Sequence, residues 1–332
     1  MVPNLKGRSF LNLEDFTKEE ILYLIELSAN LKANKKSGIR SHSLKGKNIV
    51  IIFDKPSTRT RCAFEVAAYD EGGNITFLSN SHIGLKESIE DTAIVLGRMY
   101  DGIGYRGYDH SIVEDLAQYS RIPVWNGLTD QQHPTQTLAT FLTLKEKLPN
   151  KPLNKLKLVF VGDGSNNVCT SLIIGCAKLG MQINILAPQQ LYPDKELIKK
   201  ANMITSYTHA NINYTSNIAE AVKDVDAIYT DVWVSIGEEE KFEERIKLLT
   251  QFQVNKMMIE KTNNNDVLFM HCLPAYHDIK TKVGLEVYNK YGIKEMEVTD
   301  EVFRSNNSTV FDEAENRVHT IKALMVATIG CL

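Results

Sequence analysis

Cysteine is scarce in this sequence and nowhere paired. Its five residues, Cys62, Cys169, Cys176, Cys272 and Cys331, are odd in number, scattered, and free of any CxxC spacing. That excludes a disulfide framework and a zinc site built from closely spaced ligands, and reduced thiols in a cytoplasm are expected. Charge of one sign is also missing. With 38 basic and 41 acidic residues the net charge is -3, too balanced to attract nucleic acid or an anionic membrane surface. No apolar run reaches transmembrane length, and Met1 to Glu20 alternates apolar and charged residues where a signal peptide would need an unbroken apolar stretch. Neither low-complexity segments nor sequence repeats are found. What is there, 43% hydrophobic and 24% charged residues over 332 positions, suits a soluble protein of two domains.

The patterning is that of alternating strands and helices. Thr17 and Glu20 have capping-box spacing ahead of Ile21, Leu22, Leu24, Ile25 and Leu27, which predicts a surface helix. Asn48 to Phe53 reads as a buried strand, followed by strand-like runs at 74–78, 102–106 and 122–125 with helical stretches at 88–99 and 112–119 between them. A helical segment, 137–148, leads to the polar, proline-containing stretch 150–157, where a domain boundary is placed. The pattern restarts with a strand at 156–162 and further runs at 183–186, 211–215, 226–230 and 267–271, and it closes on a helix over 311–329. The expected architecture is α/β: two domains, each a parallel sheet flanked by helices, with residues 1–149 forming the first and 150–312 the second.

Polar clusters fall just after strands, where open parallel sheets bind ligands. Ser57-Thr58-Arg59-Thr60-Arg61 stands between a strand and a helix, so hydroxyls and guanidinium groups join the unpaired N–H groups of a first helical turn. Phosphate suits such a place, although Ser57 or Thr58 would also serve as a plain cap. Arg106 ends the third strand. His133-Pro134-Thr135-Gln136 stands just ahead of a helix, and an imidazole, a carboxamide and arginines together suit a carbonyl whose oxygen gains negative charge.

In the second half, Gly162-Asp163-Gly164-Ser165-Asn166-Asn167 stands where a dinucleotide fingerprint would. Asn167 replaces its third glycine, however, and Pro188-Gln189-Gln190 stand where a ribose-binding acid belongs, so a nicotinamide cofactor is disfavoured. Asn167 either caps a helix or orients a polar substrate. Asp231-Val232-Trp233-Val234-Ser235-Ile236-Gly237 offers a carboxylate, a hydroxyl and a glycine turn, able to hold both charged ends of an amino acid. His271-Cys272-Leu273-Pro274 ends the last strand. His271, Cys272 and His277 lack a second cluster with ligand spacing, and no metal is expected.

Taken in order, Ser57-Thr58-Arg59-Thr60, Arg106, His133-Pro134-Thr135-Gln136, Asp231 with Ser235 and Gly237, His271-Cys272-Leu273-Pro274 and Glu315-Asn316-Arg317 resemble the ornithine carbamoyltransferases over nearly the full chain. The resemblance implies a carbamoyl phosphate domain, 1–149, a closing helix, 313–332, that packs back on it, and an L-ornithine domain, 150–312, which close over a cleft. It implies a cytoplasmic homotrimer or multiple of trimers without cofactor. It also implies that Ser57, Thr58, Arg59 and Thr60 grip phosphate and that Arg106 bridges phosphate and carbonyl oxygen. His133 and Thr60 would polarise the carbonyl, Gln136 and the Cys272 and Leu273 backbone would hold the carbamoyl NH₂, and Arg317 would complete the clamp. Asn167, Asp231, Ser235 and the Ile236 backbone would hold ornithine, with Asp231, Cys272 and the departing phosphate as candidate proton partners. The product would be L-citrulline, or the reaction would run in reverse in arginine breakdown through the arginine deiminase pathway.

Two positions depart from the family pattern. His82 stands where glutamine is usual, in a loop that would reach a neighbouring subunit's phosphate, and Ile236 replaces a methionine. Competing readings are a carbamoyltransferase for putrescine, lysine or another amine, an NAD-dependent dehydrogenase, and a non-enzymatic anion-binding protein.

Overall fold

In the computed structural model, which describes residues 2–79, 83–84, 86–235 and 237–331, the chain forms two compact units. One comprises Met1–Leu142 with Glu315–Leu332, the other Thr143–Ala314. In chain order the first contains α1 (Lys18–Lys36), β1 (Asn48–Phe53), α2 (Thr58–Asp70), β2 (Asn74–Ser79), α3 (Ile89–Met99), β3 (Gly102–Arg106), α4 (His110–Ser120) and β4 (Val124–Leu128), and α5 (Pro134–Lys147) begins in it. The second contains β5 (Lys157–Val161), α6 (Asn167–Leu179), β6 (Gln182–Leu186), α7 (Lys195–Thr208), β7 (Asn211–Thr215), α8 (Ile218–Ala221), β8 (Ala227–Thr230), α9 (Phe242–Leu249), α10 (Lys256–Glu260), β9 (Leu268–His271), α11 (Lys282–Tyr291) and α12 (Asp300–Phe303). The last helix, α13 (Val310–Ile329), starts in the second unit, and its residues from Glu315 onward belong to the first.

Both sheets are parallel, as the alternating pattern predicts. In the first unit β1 is buried at every position after Asn48, because helices cover both faces. Val50, Ile52, Ile103, Tyr105 and Val124 pack on Ala93 and Leu96 of α3 and Val113 and Leu116 of α4. On the opposite face α2 lies so close that a Cβ at Gly104 would come within 2.8 Å of Ile51 and 3.0 Å of Phe64. Each aliphatic side chain so buried contributes roughly 1.5–3 kcal/mol. The capping box on α1 is present: Glu20 N–H donates to Thr17 Oγ1 at 3.2 Å and Thr17 N–H to Glu20 Oε2 at 2.8 Å. Within the first unit, α13 is fastened by Trp125 Nε1 donating to Thr328 Oγ1 and by Lys322 pairing with Asp70.

Three local readings shift. The strand expected at 122–125 begins after Pro123 and continues through Asn126 and Gly127, whose turn-like chemistry is overridden by pairing. Phe10 N–H donates to the Val124 carbonyl, and Asn126 N–H to that of Phe10. Helix α5 starts at Pro134, a residue well suited to a first helical position, so Thr135 and Gln136 lie inside the first turn and not ahead of it. The cap of α6 is Asn166, whose Oδ1 accepts from Val168 N–H at 2.7 Å, while Asn167 is the first helical residue.

Strand order places the chemistry. The first sheet runs β2-β1-β3-β4 and the second β7-β6-β5-β8-β9. The chain therefore reverses direction across each sheet once, between β1 and β3 and between β5 and β8, and ligands bind at the carboxyl ends of strands flanking such a reversal. Ser57 to Thr60 and Arg106 follow β1 and end β3. Gly162 to Asn167 and Asp231 follow β5 and β8.

Candidate functional site

Helix α2 opens on an anion-ready turn. Ser57 holds an extended backbone and its Oγ accepts from Thr60 N–H at 3.2 Å. No acidic residue occupies this first turn, whereas α1 has Glu19 and Glu20 and α3 has Glu90 and Asp91 at the same place. The positive end of the α2 dipole is thus left without a carboxylate from its own first turn. Thr58 is exposed, Arg59 half-buried and Thr60 buried. Gly127 makes room for Thr60, since a Cβ there would lie 3.2 Å from its methyl group and 3.0 Å from the Tyr105 carbonyl. Arg61, read in the same stretch, turns away: it donates to Glu65 at 2.8 Å and stacks over the Phe77 ring.

Arg106 is buried at the end of β3, where the register against β4 slips between Tyr105 and Arg106. Such an irregularity re-aims a side chain. Its carbonyl accepts from Asp54 and Lys55 N–H, which ties β3 to the segment leading into α2.

The centre of this half is Arg317, on α13. Its Nη1 donates to Gln136 Oε1 at 2.7 Å and faces His133 Nε2 at 3.5 Å, while Nη2 donates to Thr60 Oγ1 at 3.2 Å and Thr135 Oγ1 at 3.4 Å. One buried guanidinium therefore gathers residues of α2, the β4–α5 turn and α5. These four acceptors are neutral, so they orient the cation without cancelling its charge.

Burial pushes the pKa of His133 well below its ordinary 6.5, and Arg317, Arg106, Arg59 and Lys55 push it down further. A guanidinium can only donate, so the ring nitrogen facing Arg317 is the bare one and the proton of the neutral imidazole sits on Nδ1. The unfolded chain would protonate this histidine below about pH 6.5 while the folded one resists, so its contribution makes stability fall as pH drops through that value. We expect its imidazole NMR signals to keep neutral-form shifts from about pH 8 to about pH 5.5. An ordinary titration near 6.5 would show that the cations do not act on it.

The second unit carries its own cluster. Asp231 Oδ1 accepts from Val232 N–H at 2.8 Å and from the Cys272 thiol at 3.0 Å, and Oδ2 accepts from Asn166 Nδ2 at 3.0 Å. Asn167 and Ser235 are half-buried nearby in sequence to these groups, at the start of α6 and in the loop after β8. Arg245 of α9 reaches back to Asp163, 3.0 Å away, and Asp163 also accepts from Ser165. The fingerprint-like glycines have packing reasons: Gly162 adopts φ +128°, and a Cβ at Gly164 would lie 2.7 Å from the Leu191 carbonyl. His82 and Ile236 lie outside the described residues.

Comparison with known proteins now decides the family. Residues 8–146 match the family model described as aspartate/ornithine carbamoyltransferase, carbamoyl-P binding domain, and residues 154–328 the one described as its Asp/Orn binding domain. The chain belongs to the aspartate/ornithine carbamoyltransferase family. It is 58% identical over 330 residues to a catabolic ornithine carbamoyltransferase of Bacillus cereus, covering 99% of this chain and 98% of that one. It is 57% identical over 331 residues to a catabolic ornithine carbamoyltransferase of Clostridium perfringens, covering 99% and 100%. Among solved structures, the ornithine carbamoyltransferase of Pyrococcus furiosus superposes with a TM-score of 0.89 at 42% identity, covering 99% of both chains.

For this carbamoyltransferase-family chain, sequence reading left out three side chains that the structure brings in. Asn166 orients Asp231, and its only sequence signal was its place beside Asn167. Lys55 is buried 3.4 Å from Asp130 and over the Tyr108 ring, joining the segment before α2 to the β4–α5 turn. Glu297 reaches His271 from 26 positions away. His277, grouped with His271 and Cys272 in the sequence, instead donates from Nδ1 to Asp300 Oδ1 at 2.6 Å and stacks on Phe303. Asp231, His271 and Cys272 do bring three metal-ligating atoms within 4.8 Å of one another. Each of those side chains is committed to protein hydrogen bonds, His271 through both ring nitrogens. No helix among the described residues is long and apolar enough to cross a membrane.

Proposed function

We propose that the protein is an ornithine carbamoyltransferase, catalysing transfer of the carbamoyl group between carbamoyl phosphate and the δ-amine of L-ornithine, and in the cell running in reverse, from L-citrulline and phosphate, in arginine breakdown in the cytoplasm. The observation that carries this is the gathering of Thr60, His133 and Gln136 on the buried Arg317 guanidinium, with Arg59 and Arg106 acting on the same histidine. Relatives named catabolic ornithine carbamoyltransferases, at 57% and 58% identity, favour ornithine over other amines and the catabolic direction.

In this reading residues 1–149 with 313–332 serve carbamoyl phosphate and 150–312 serve ornithine. Ser57, Thr58, Arg59 and Thr60 take the phosphate, Arg106 spans phosphate and carbonyl oxygen, and neutral His133 with Thr60 polarises the carbonyl. Gln136 Oε1, oriented by Arg317, accepts from the carbamoyl NH₂, as do the Cys272 and Leu273 carbonyls. Asn167, Asp231, Ser235 and the Ile236 backbone hold the α-amino and α-carboxylate groups. The neutral δ-amine attacks the carbamoyl carbon, the tetrahedral intermediate expels phosphate, and the amine's proton passes to phosphate or to the Asp231–Cys272 pair. The cations stabilise charge that grows on the carbonyl and leaving oxygens.

A homotrimer, or a multiple of trimers, fits the surface of the first unit. Its helix α3 leaves Ile94, Val95 and Met99 exposed, apolar side chains that a second copy would cover. In the same reading His82 would serve the neighbouring subunit's phosphate.

The test is turnover of carbamoyl phosphate with ornithine, putrescine, lysine or aspartate, following phosphate and ureido product. Ornithine should be preferred by at least about 100-fold in kcat/KM, because the α-carboxylate contacts are worth several charge-assisted hydrogen bonds. Turnover of putrescine at an equal rate would transfer the protein to the alternative reading, and none with any amine would remove the enzyme claim.

A further inference from the structure

We propose that His271 is a positioning residue for carbamoyl transfer, a neutral imidazole held by Glu297 in one tautomer so that its Nδ1 aims the Cys272–Leu273 backbone. The inference rests on the reading above, in which the carbonyls of those two residues accept the carbamoyl NH₂.

The geometry is closed on every side. Leu273 N–H donates to His271 Nδ1 at 2.8 Å, so Nδ1 must be bare and the proton must sit on Nε2. Nε2 faces Glu297 Oε1 at 3.3 Å, and the same oxygen accepts from Tyr276 N–H at 2.6 Å. Both side chains are fully buried. One carboxylate oxygen thus grips the imidazole behind Cys272 and the backbone just beyond Pro274, and the segment carrying the two carbonyls is tied at both ends.

That segment needs the tie. Leu273 has φ 59°, in the left-handed region that a branched side chain rarely adopts. Its N–H reaches the imidazole directly behind it, so removing Nδ1 as acceptor frees the peptide that joins Cys272 to Leu273 to rotate. Rotation would swing the Cys272 carbonyl, which shares that peptide plane. Glu297 is an expensive way to fill space: among the described residues its Oε2 is buried without a hydrogen-bond partner. An apolar side chain would pack there at lower cost but would leave the ring tautomer unset. Cys272 adds a second reason for precision, since its thiol must reach Asp231 at 3.0 Å from the same stretch of backbone.

Two substitutions separate positioning from bulk. In His271→Asn the amide oxygen takes the place of Nδ1 and preserves the acceptor for Leu273 N–H. In His271→Gln the amide NH₂ takes the place of Nε2, donating to Glu297, and no acceptor stands at the Nδ1 position for that N–H. Steady-state kinetics with carbamoyl phosphate and ornithine, together with thermal unfolding, are measured for both and for the wild type. The expected result is a kcat for His271→Gln lowered about 10- to 100-fold, with ornithine KM within about threefold of wild type. His271→Asn should recover most of that loss even if both variants melt at the same lowered temperature. Equal kcat in the two variants, whether both high or both low, would overturn the inference while leaving the activity in place. A wild-type protein that turns over no carbamoyl phosphate with ornithine would overturn the reading and this inference with it.

Discussion

Arg59→Ala is expected to lower kcat/KM for carbamoyl phosphate by about 100- to 1000-fold, and to raise its Kd by a similar factor, while the protein stays folded. In the proposed reading the substitution removes a charge-assisted contact to phosphate, worth about 2–5 kcal/mol when the partner anion is left facing it. Stability should be nearly untouched, because Arg59 is half-buried in the first turn of α2 and Ser57, not Arg59, supplies the cap. Calorimetric titration of carbamoyl phosphate, paired with a thermal melt, checks both halves of the statement. A variant that unfolds instead would make the side chain a structural one. Loss of a cation near His133 should also let that imidazole titrate higher, because Arg59 is among the charges that hold its pKa down.

Asp231→Ala should do the complementary thing. We expect ornithine KM to rise about 100- to 1000-fold with the Kd of carbamoyl phosphate changed by less than about threefold, a split that Arg59→Ala reverses. Asp231 accepts from Asn166, Val232 and Cys272, so the substitution removes a charge and also strands three donors. The Cys272 thiol would then lose the acceptor that fixes its direction, and kcat should fall as well. Steady-state kinetics at saturating levels of each substrate in turn separates the two effects. A substitution that weakened both substrates equally would argue against the assignment of Asp231 to the amino acid.

How far such assignments were legible beforehand varied with sequence distance. The capped first turn of α2 at Ser57 was readable because a strand, a hydroxyl cap and a helix follow one another within a few residues, and local rules suffice there. The decoy at Gly162 was readable for the same reason, as a missing glycine and a missing acid lie within one strand–helix unit. Arg317 was placed in the clamp only through resemblance, since it meets Thr60 across 257 positions and no periodicity reports such a contact. Asn166 and Glu297 escaped for the opposite reason: each looks like an ordinary cap or surface acid, and only its partner shows otherwise. The start of α5 and the extent of β4 were misjudged because proline, asparagine and glycine signal turns locally, while buried pairing with Phe10 keeps Asn126 and Gly127 in the strand.

The amino-acid sequence by itself determined the alternation of strands and helices, the parallel character of both sheets, and the ends of strands on which polar side chains collect. Those properties follow from side-chain period, capping and chain direction, all of which act within about ten to fifteen residues. Only the tertiary structure decided which of the collected side chains face one another. It set Arg317 against Gln136 and Thr60, Cys272 against Asp231, and His271 between Leu273 and Glu297. The reason is that such pairs are made by strand order and by the return of α13 to the first unit, and neither carries a local energetic signature.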